Sequence, residues 1–215
     1  MKIKITIITL VSLLAIFAIV FQSCKKDNTP ACGGLTNLIY GGQIYDIVEI
    51  GNQCWMAENL NYQSAFSWWY HNSSANGDVY GRLYTWNAAL IACPNGWHLP
   101  SDDEWKTLEM TFGMSQTQAD NTGWRGKDEG REMKSTSGWN SNANGIYSNG
   151  FNALPGGYRE SEGSFFNLGS SGYWWSSTDN SGMGAWHRGL YSDFVQIFRY
   201  YYSKSYGRSV RCLKN

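Results

Sequence analysis

The chain has 215 residues, and its 17 Lys and Arg are balanced by 17 Asp and Glu. A surface with no net charge has no bulk attraction for nucleic acid, so a phosphate-backbone partner is excluded at this level. Aromatic residues make up 16% of the chain. Each can bury about 150–250 Å², so a chain of this length can build one domain with a substantial core.

Lys2 and Lys4 open the chain, and Ile5 to Val20 is uncharged and apolar. That is the layout of a secretory signal, and the run is short for a membrane span. Ser23 then precedes Cys24. An apolar run ending in a small residue and a cysteine resembles the lipobox of bacterial lipoproteins, although Phe21 and Gln22 stand where a Leu and a small residue are commoner. The resemblance implies a signal peptide over residues 1–23 and a lipid on Cys24 that brings the protein to the membrane. An exported, outer-membrane lipoprotein of the cell envelope is expected. Buried acyl chains contribute about 0.8 kcal/mol per CH₂, so two or more hold firmly. Residues 24–37 read as a tether, polar from Cys24 to Ala31. Without Lys2 and Lys4, 15 basic residues remain against 17 acidic ones.

Four more cysteines follow: Cys32, Cys54, Cys93 and Cys212. In an exported chain they suggest two disulfides, with three possible connectivities. No spacing matches a CxxC metal knuckle, and no metal or cofactor is expected. The preferred pairing joins Cys32 to Cys54, clipping a hairpin, and Cys93 to Cys212, tying an early helix to the final strand.

LIYGGQIYDIVEI, residues 38–50, predicts a hairpin turning at Gly41-Gly42, and Gly51-Asn52 is a second turn signal. Residues 61–78 are polar and aromatic without a clear period, which predicts a long surface loop. YTWNAALIAC, residues 84–93, predicts a short helix capped by Thr85 and ended by Pro94. Residues 101–113 predict a better-marked helix. Ser101 and Glu104 form a capping box, Asp102 and Asp103 offset the positive end of the dipole, and Trp105, Leu108 and Phe112 share one face. Helical signal then fades, and residues 123–172 read as loop-rich. The last third predicts strands at GYWWSST, GAWHRGLY, FVQIFRYYY and GRSVRCLKN. The apolar run from Phe194 to Phe198 suggests a strand covered on both faces. Early helices followed by strands give an α+β domain.

YGRLYTWNAALIACPNGWHLPSDDEW, GFNALPGGYR, GYWWSST and GRSVRCLKN, in that order, resemble the Fibrobacter succinogenes major paralogous domain family. GNQCWMAENLNY fits the same family, and the resemblance spans residues 38–215. Cys54 departs from the pattern, where Thr or another uncharged residue is expected, so a Cys32–Cys54 bridge would be a local addition. The family in turn looks like a branch of the C-type-lectin-like fold, with formylglycine-generating enzymes as relatives. This implies two long helices, a mixed and mostly antiparallel sheet, and the long disulfide matched by Cys93 and Cys212.

The resemblance does not carry the relatives' chemistry. Catalytic cysteines of the formylglycine-generating type lie late in the domain, where only Cys212 stands. His71, His98 and His187 are widely spaced. The Glu-Pro-Asn and Trp-Asn-Asp signatures of calcium-dependent lectins are absent, since Trp139-Asn140-Ser141 lacks the acid. Asp102, Asp103 and Glu104 are explained by capping, and His98 reads as a packed or hydrogen-bonded turn residue whose partner is not assigned. Trp68, Trp69 and Tyr70 in their polar loop, with Asn142 and Asn144 in an amide-rich stretch, are the candidate binding residues. Exposed aromatics stack on sugars or anchor protein partners, while the plainer role is to pin the loop to the core. The expectation is a non-catalytic binding domain recognising a glycan or surface protein. The alternatives are a degenerate formylglycine-generating-type enzyme and a structural subunit of a surface assembly.

Overall fold

The computed structural model describes residues 30–146, 150–182 and 184–215. The stretch read as a signal peptide, residues 1–23, and Cys24 lie outside the described residues. The hairpin at Gly41-Gly42 is formed by β1 (Asn37–Tyr40) and β2 (Gln43–Ile50), and Gly51-Asn52 turns β2 into β3 (Gln53–Met56). Both Gly41 and Gly42 have positive φ, the conformation such a tight turn needs.

The segment expected as a surface loop is ordered instead. It holds β4 (Ser67–Trp68), a 3₁₀ turn at Tyr70–Asn72 and α1 (Ser74–Tyr80). The organising group is Arg82, whose guanidinium donates to the Ser67 hydroxyl and carbonyl at 3.0 and 2.9 Å. β5 (Leu83–Tyr84) leads into α2 (Trp86–Ala89), which stops four residues short of Cys93. Thr85 occupies the N-cap position but its side chain makes no capping bond. Beyond Ala89 the turn tightens to bonds between residues three apart, Ile91 to Ala88 and Ala92 to Ala89, as expected where Pro94 forbids continued α-helix.

After β6 (Trp97–His98) comes α3 (Asp102–Thr111), with the Ser101–Glu104 capping box formed in both directions. At ten residues α3 is the longest helix among the described residues, so the two long helices expected are not found there. Two further helices follow: α4 (Gln116–Asp120), ahead of the region read as loop-rich, and α5 (Glu129–Met133), inside it. The first carries its own capping box, Ser115 with Gln118. β7 (Gly123–Arg125) lies between them. The chain then runs through β8 (Gly156–Arg159), β9 (Phe165–Leu168), β10 (Ser171–Asp179), β11 (Ala185–Tyr191), β12 (Ile197–Tyr202), β13 (Arg208–Ser209) and β14 (Leu213–Lys214).

The strands form a mixed α+β domain with two sheets. One has the order β1-β2-β3-β14-β6, so the last strand of the chain sits among the first. The other runs β4-β5-β13-β10-β11-β12-β7, with β8 joining β10 and β9 joining β8. Most pairings are antiparallel; β10 is parallel to β13 and β8. Both disulfides form as expected, Cys32–Cys54 and Cys93–Cys212. The second closes a separation of 119 residues, for which chain entropy gives about 5 kcal/mol.

Two apolar clusters fill the interior. One gathers Tyr84, Trp86, Trp175 and the Cys93–Cys212 bridge. The other gathers Trp55, Trp105, Phe151 and Trp174 beside α3. Trp174 and Trp175 face opposite sides of β10, and both are fully buried. β12 departs from expectation: Phe194 and Val195 precede it and are exposed, while Tyr200 and Tyr202 leave one face open. Its other face packs on α3 through Ile197 and Arg199. There Asp102 and Glu109 meet three buried arginines, Arg125, Arg188 and Arg199.

Candidate functional site

Side-chain alternation divides the large sheet into two faces. Trp174, Arg188, Ile197, Arg199 and Arg125 point toward α3. On the opposite face, register pairs Tyr173 with Gly189, Gly189 with Phe198, and Phe198 with Trp124. The next row is Trp175, His187 and Tyr200. This face is therefore almost wholly aromatic. Gly189 in its middle keeps the rings close, since a Cβ there would come within 2.9 Å of Tyr191. Trp124 stacks on Phe194 at 3.9 Å and is 36% exposed, and Tyr200 and Tyr202 are 39% and 43% exposed.

A cavity of about 110 Å³ opens in this face. Tyr158, Tyr173, Tyr191, Tyr202 and Phe198 wall it, with His187 and Arg208 beneath. Arg208 is 3% exposed. Its guanidinium carbon lies 4.8 Å from the ring centre of Tyr173, 5.0 Å from that of Trp175 and 4.9 Å from that of Tyr202. Aromatic faces hold a desolvated cation at about 2 kcal/mol or more each. They do not occupy its hydrogen bonds: among the described residues, nothing accepts from Arg208 Nε or Nη1. Burial lowers its pKa to about 10, opposed by the neighbouring tyrosines. It is therefore a cation at neutral pH.

His187, Tyr191 and Tyr158 in the cavity are neutral. His187 is 1% exposed and its Nδ1 has no partner among the described residues. Burial, then the charges of Arg208 and Arg188, push the imidazole well below its ordinary range. Burial likewise raises Tyr191, reinforced by its bond to Tyr173, and pushes Tyr158 up to about 12, reinforced by Glu160. The result is one buried positive charge ringed by neutral donors and flat apolar walls. Such a site attracts and orients an anion.

The residues singled out from sequence lie elsewhere, and all but Asn142 are engaged. The Trp68 ring is covered by the Arg159 guanidinium at 3.9 Å. Trp69 Nε1 donates to Asn61 Oδ1 at 2.7 Å, Arg82 covers its ring at 4.5 Å, and Gly77 packs so close that a Cβ would lie 2.3 Å from it. Tyr70 is buried and stacks on His71 at 4.6 Å. Asn144 Oδ1 accepts from the Trp139 backbone at 3.0 Å, while Asn142 is exposed in a left-handed turn. His98 does have partners, Asn215 Oδ1 at 2.6 Å and Glu104 Oε1 at 2.9 Å. Cys32, Cys54, Cys93 and Cys212 are all in disulfides, so none offers a thiolate.

Arg208 and His187 were not identified from sequence. The available signal was the alternation Arg208, Val210, Cys212, which places an arginine in phase with a disulfide cysteine. A family model described as Fibrobacter succinogenes major domain matches residues 48–214, and the chain belongs to that family. Comparison with curated proteins and with solved structures gave no match.

Proposed function

We propose that this member of the Fibrobacter succinogenes major domain family is a lipid-anchored protein of the cell envelope. Its domain, of C-type-lectin-like ancestry, recognises a glycan or a surface protein without chemical turnover. One observation carries the recognition reading: the aromatic sheet face with a buried guanidinium at its floor and a cavity of about 110 Å³ opening over it. Exposed rings around a small polar pocket are the arrangement that binding anchors use. The two disulfides agree with an oxidising compartment. The bridge from Cys93, after α2, to Cys212, near the C-terminus, agrees with the C-type-lectin-like ancestry. The apolar run before Cys24 agrees with export and lipidation.

The test has two parts. Mass spectrometry of the mature protein is expected to find Cys24 as the lipid-bearing N-terminus; an unmodified N-terminus elsewhere removes the anchor. Glycan-array and envelope pull-down screens with the disulfide-intact protein are expected to give a ligand that is lost on Arg208→Gln. Blank screens in both formats remove the recognition reading.

A further inference from the structure

The cavity itself narrows the class of ligand. At about 110 Å³ it is smaller than the roughly 150 Å³ that accepts a benzene ring. A whole sugar ring does not enter; a group of a few heavy atoms does. Arg208 is the one cation among its lining residues. It is buried, with no acid among the groups acting most strongly on it and no acceptor at Nε or Nη1 among the described residues. A buried charge without counter-charge is costly. A ligand that supplies one negative charge beside the guanidinium offsets that cost. A single guanidinium matches a monoanion. A phosphate dianion asks for a second cation, and the remaining lining side chains are tyrosines, a phenylalanine and a neutral imidazole.

The surroundings of the mouth say what bears that charge. Tyr202 is 43% exposed and lines the cavity, and Tyr200 beside it is 39% exposed. Tyr200 stacks on Tyr201 at 4.7 Å, which holds its ring in place. Flat, pre-positioned aromatic faces bind the apolar face of a ring at little entropic cost.

We infer that the Arg208 cavity is a carboxylate subsite, taking the acid group of an acidic sugar whose ring lies against Tyr200 and Tyr202. This rests on the recognition reading above and names its ligand class.

The test titrates the full chain, in detergent and with disulfides intact, with D-glucuronate by calorimetry. D-glucose, acetate and a short acidic peptide are the comparison arms. The Arg208 Nε–H resonance is followed in parallel. Glucuronate is expected to bind at least tenfold more tightly than glucose, about 1.4 kcal/mol, and than acetate, and to shift that resonance. Arg208→Gln is expected to lose at least tenfold in glucuronate binding, with its circular-dichroism spectrum showing that it folds. Tyr202→Ala, at an exposed position, is expected to weaken glucuronate but not acetate, and it serves if Arg208→Gln does not fold. Equal binding of glucose, or no binding of glucuronate to folded protein, overturns the carboxylate subsite. Acetate or the acidic peptide binding as tightly as glucuronate overturns the sugar assignment. A glycan array positive only for neutral sugars leaves the recognition reading standing while this inference falls.

Discussion

Glu109→Gln removes one charge from a fully buried set and leaves the shape almost unchanged. Glu109 Oε1 accepts from Arg125 Nη2 and Arg188 Nε at 2.7 and 2.5 Å, and Oε2 accepts from Arg125 Nη1 at 2.7 Å. Asp102 accepts from Arg188 Nη1 at 2.7 Å and from Arg199 Nε and Nη2 at 2.9 and 2.6 Å. Two carboxylates are therefore shared among three guanidiniums, with Lys106 Nζ also 3.4 Å from Asp102 Oδ2. Neutralising Glu109 leaves Arg125 with no counter-charge at all and Arg188 with Asp102 alone. Breaking a buried pair from one side costs about 3–5 kcal/mol, a large share of a domain's roughly 5–15 kcal/mol. At about 2–4 °C per kcal/mol for a chain of this size, the melting midpoint falls by roughly 6–20 °C. Urea unfolding with disulfides intact reads the free energy directly. Glu109→Leu combined with Arg125→Leu is expected to recover most of the loss, because well-packed apolar pairs replace buried ion pairs at little cost. A loss under about 1 kcal/mol for Glu109→Gln would refute the reasoning, because it would mean that water reaches these arginines.

Two further outcomes follow from the same geometry. Burial alone would raise the Asp102 carboxyl, but the hydrogen bonds and charges of Arg199 and Arg188 hold it well below the usual carboxylate range. Its stabilisation is present above the unfolded value of about 3.9 and is lost as pH falls below it. The unfolding midpoint should therefore drop from about pH 4 downward, and a flat profile in wild type between about pH 4 and pH 2 contradicts the assignment. Gly77→Ala should destabilise by about 1–3 kcal/mol through overpacking, despite alanine's better helix propensity, because its Cβ would lie 2.3 Å from the Trp69 ring. A red-shifted Trp emission is expected to accompany the loss, and unchanged stability with unchanged emission would count against the packing of Trp69.

What could be read from the sequence was what local chemistry dictates. The Gly41-Gly42 hairpin, the Ser101–Glu104 cap and the late strands depend on neighbours within a few residues, and the structure has them. Ser115 and Gln118 carried the same capping signal, but α4 is five residues long and too short to show a period. The segment 61–78 looked unstructured because its order comes from afar: Arg82 holds Ser67, and Asn59 holds the Tyr80 carbonyl at 2.9 Å. The double role of Asp102 was hidden in the same way. A carboxylate in the first turn of a helix looks like dipole compensation, and only the arrival of Arg188 and Arg199, 86 and 97 residues away, shows it to be a core counter-ion. The aromatic face escaped notice because it joins residues from β8, β10, β11, β12 and β13, each unremarkable alone.

Arg211 supplies the control for reading Arg208 as a ligand anchor. The two lie three residues apart, both are buried, and neither makes an ion pair among the described residues. Burial lowers both, Arg211 to about 9 and Arg208 to about 10. Their hydrogen bonds differ completely. Arg211 donates to the carbonyls of Met56, Ala57 and Phe151 and to Asn59 Oδ1, tying the first sheet to the chain around Phe151. The fold thus satisfies a buried guanidinium with neutral oxygens where the arginine serves as a cross-link. At Arg208 it supplies rings on the faces and leaves Nε and Nη1 without acceptors. Arg82 and Arg125 also leave one buried nitrogen each without an acceptor, but both are tied to protein oxygens through their other nitrogens, whereas Arg208 lacks acceptors at two. That difference is what supports the proposed carboxylate subsite at the floor of the aromatic cavity.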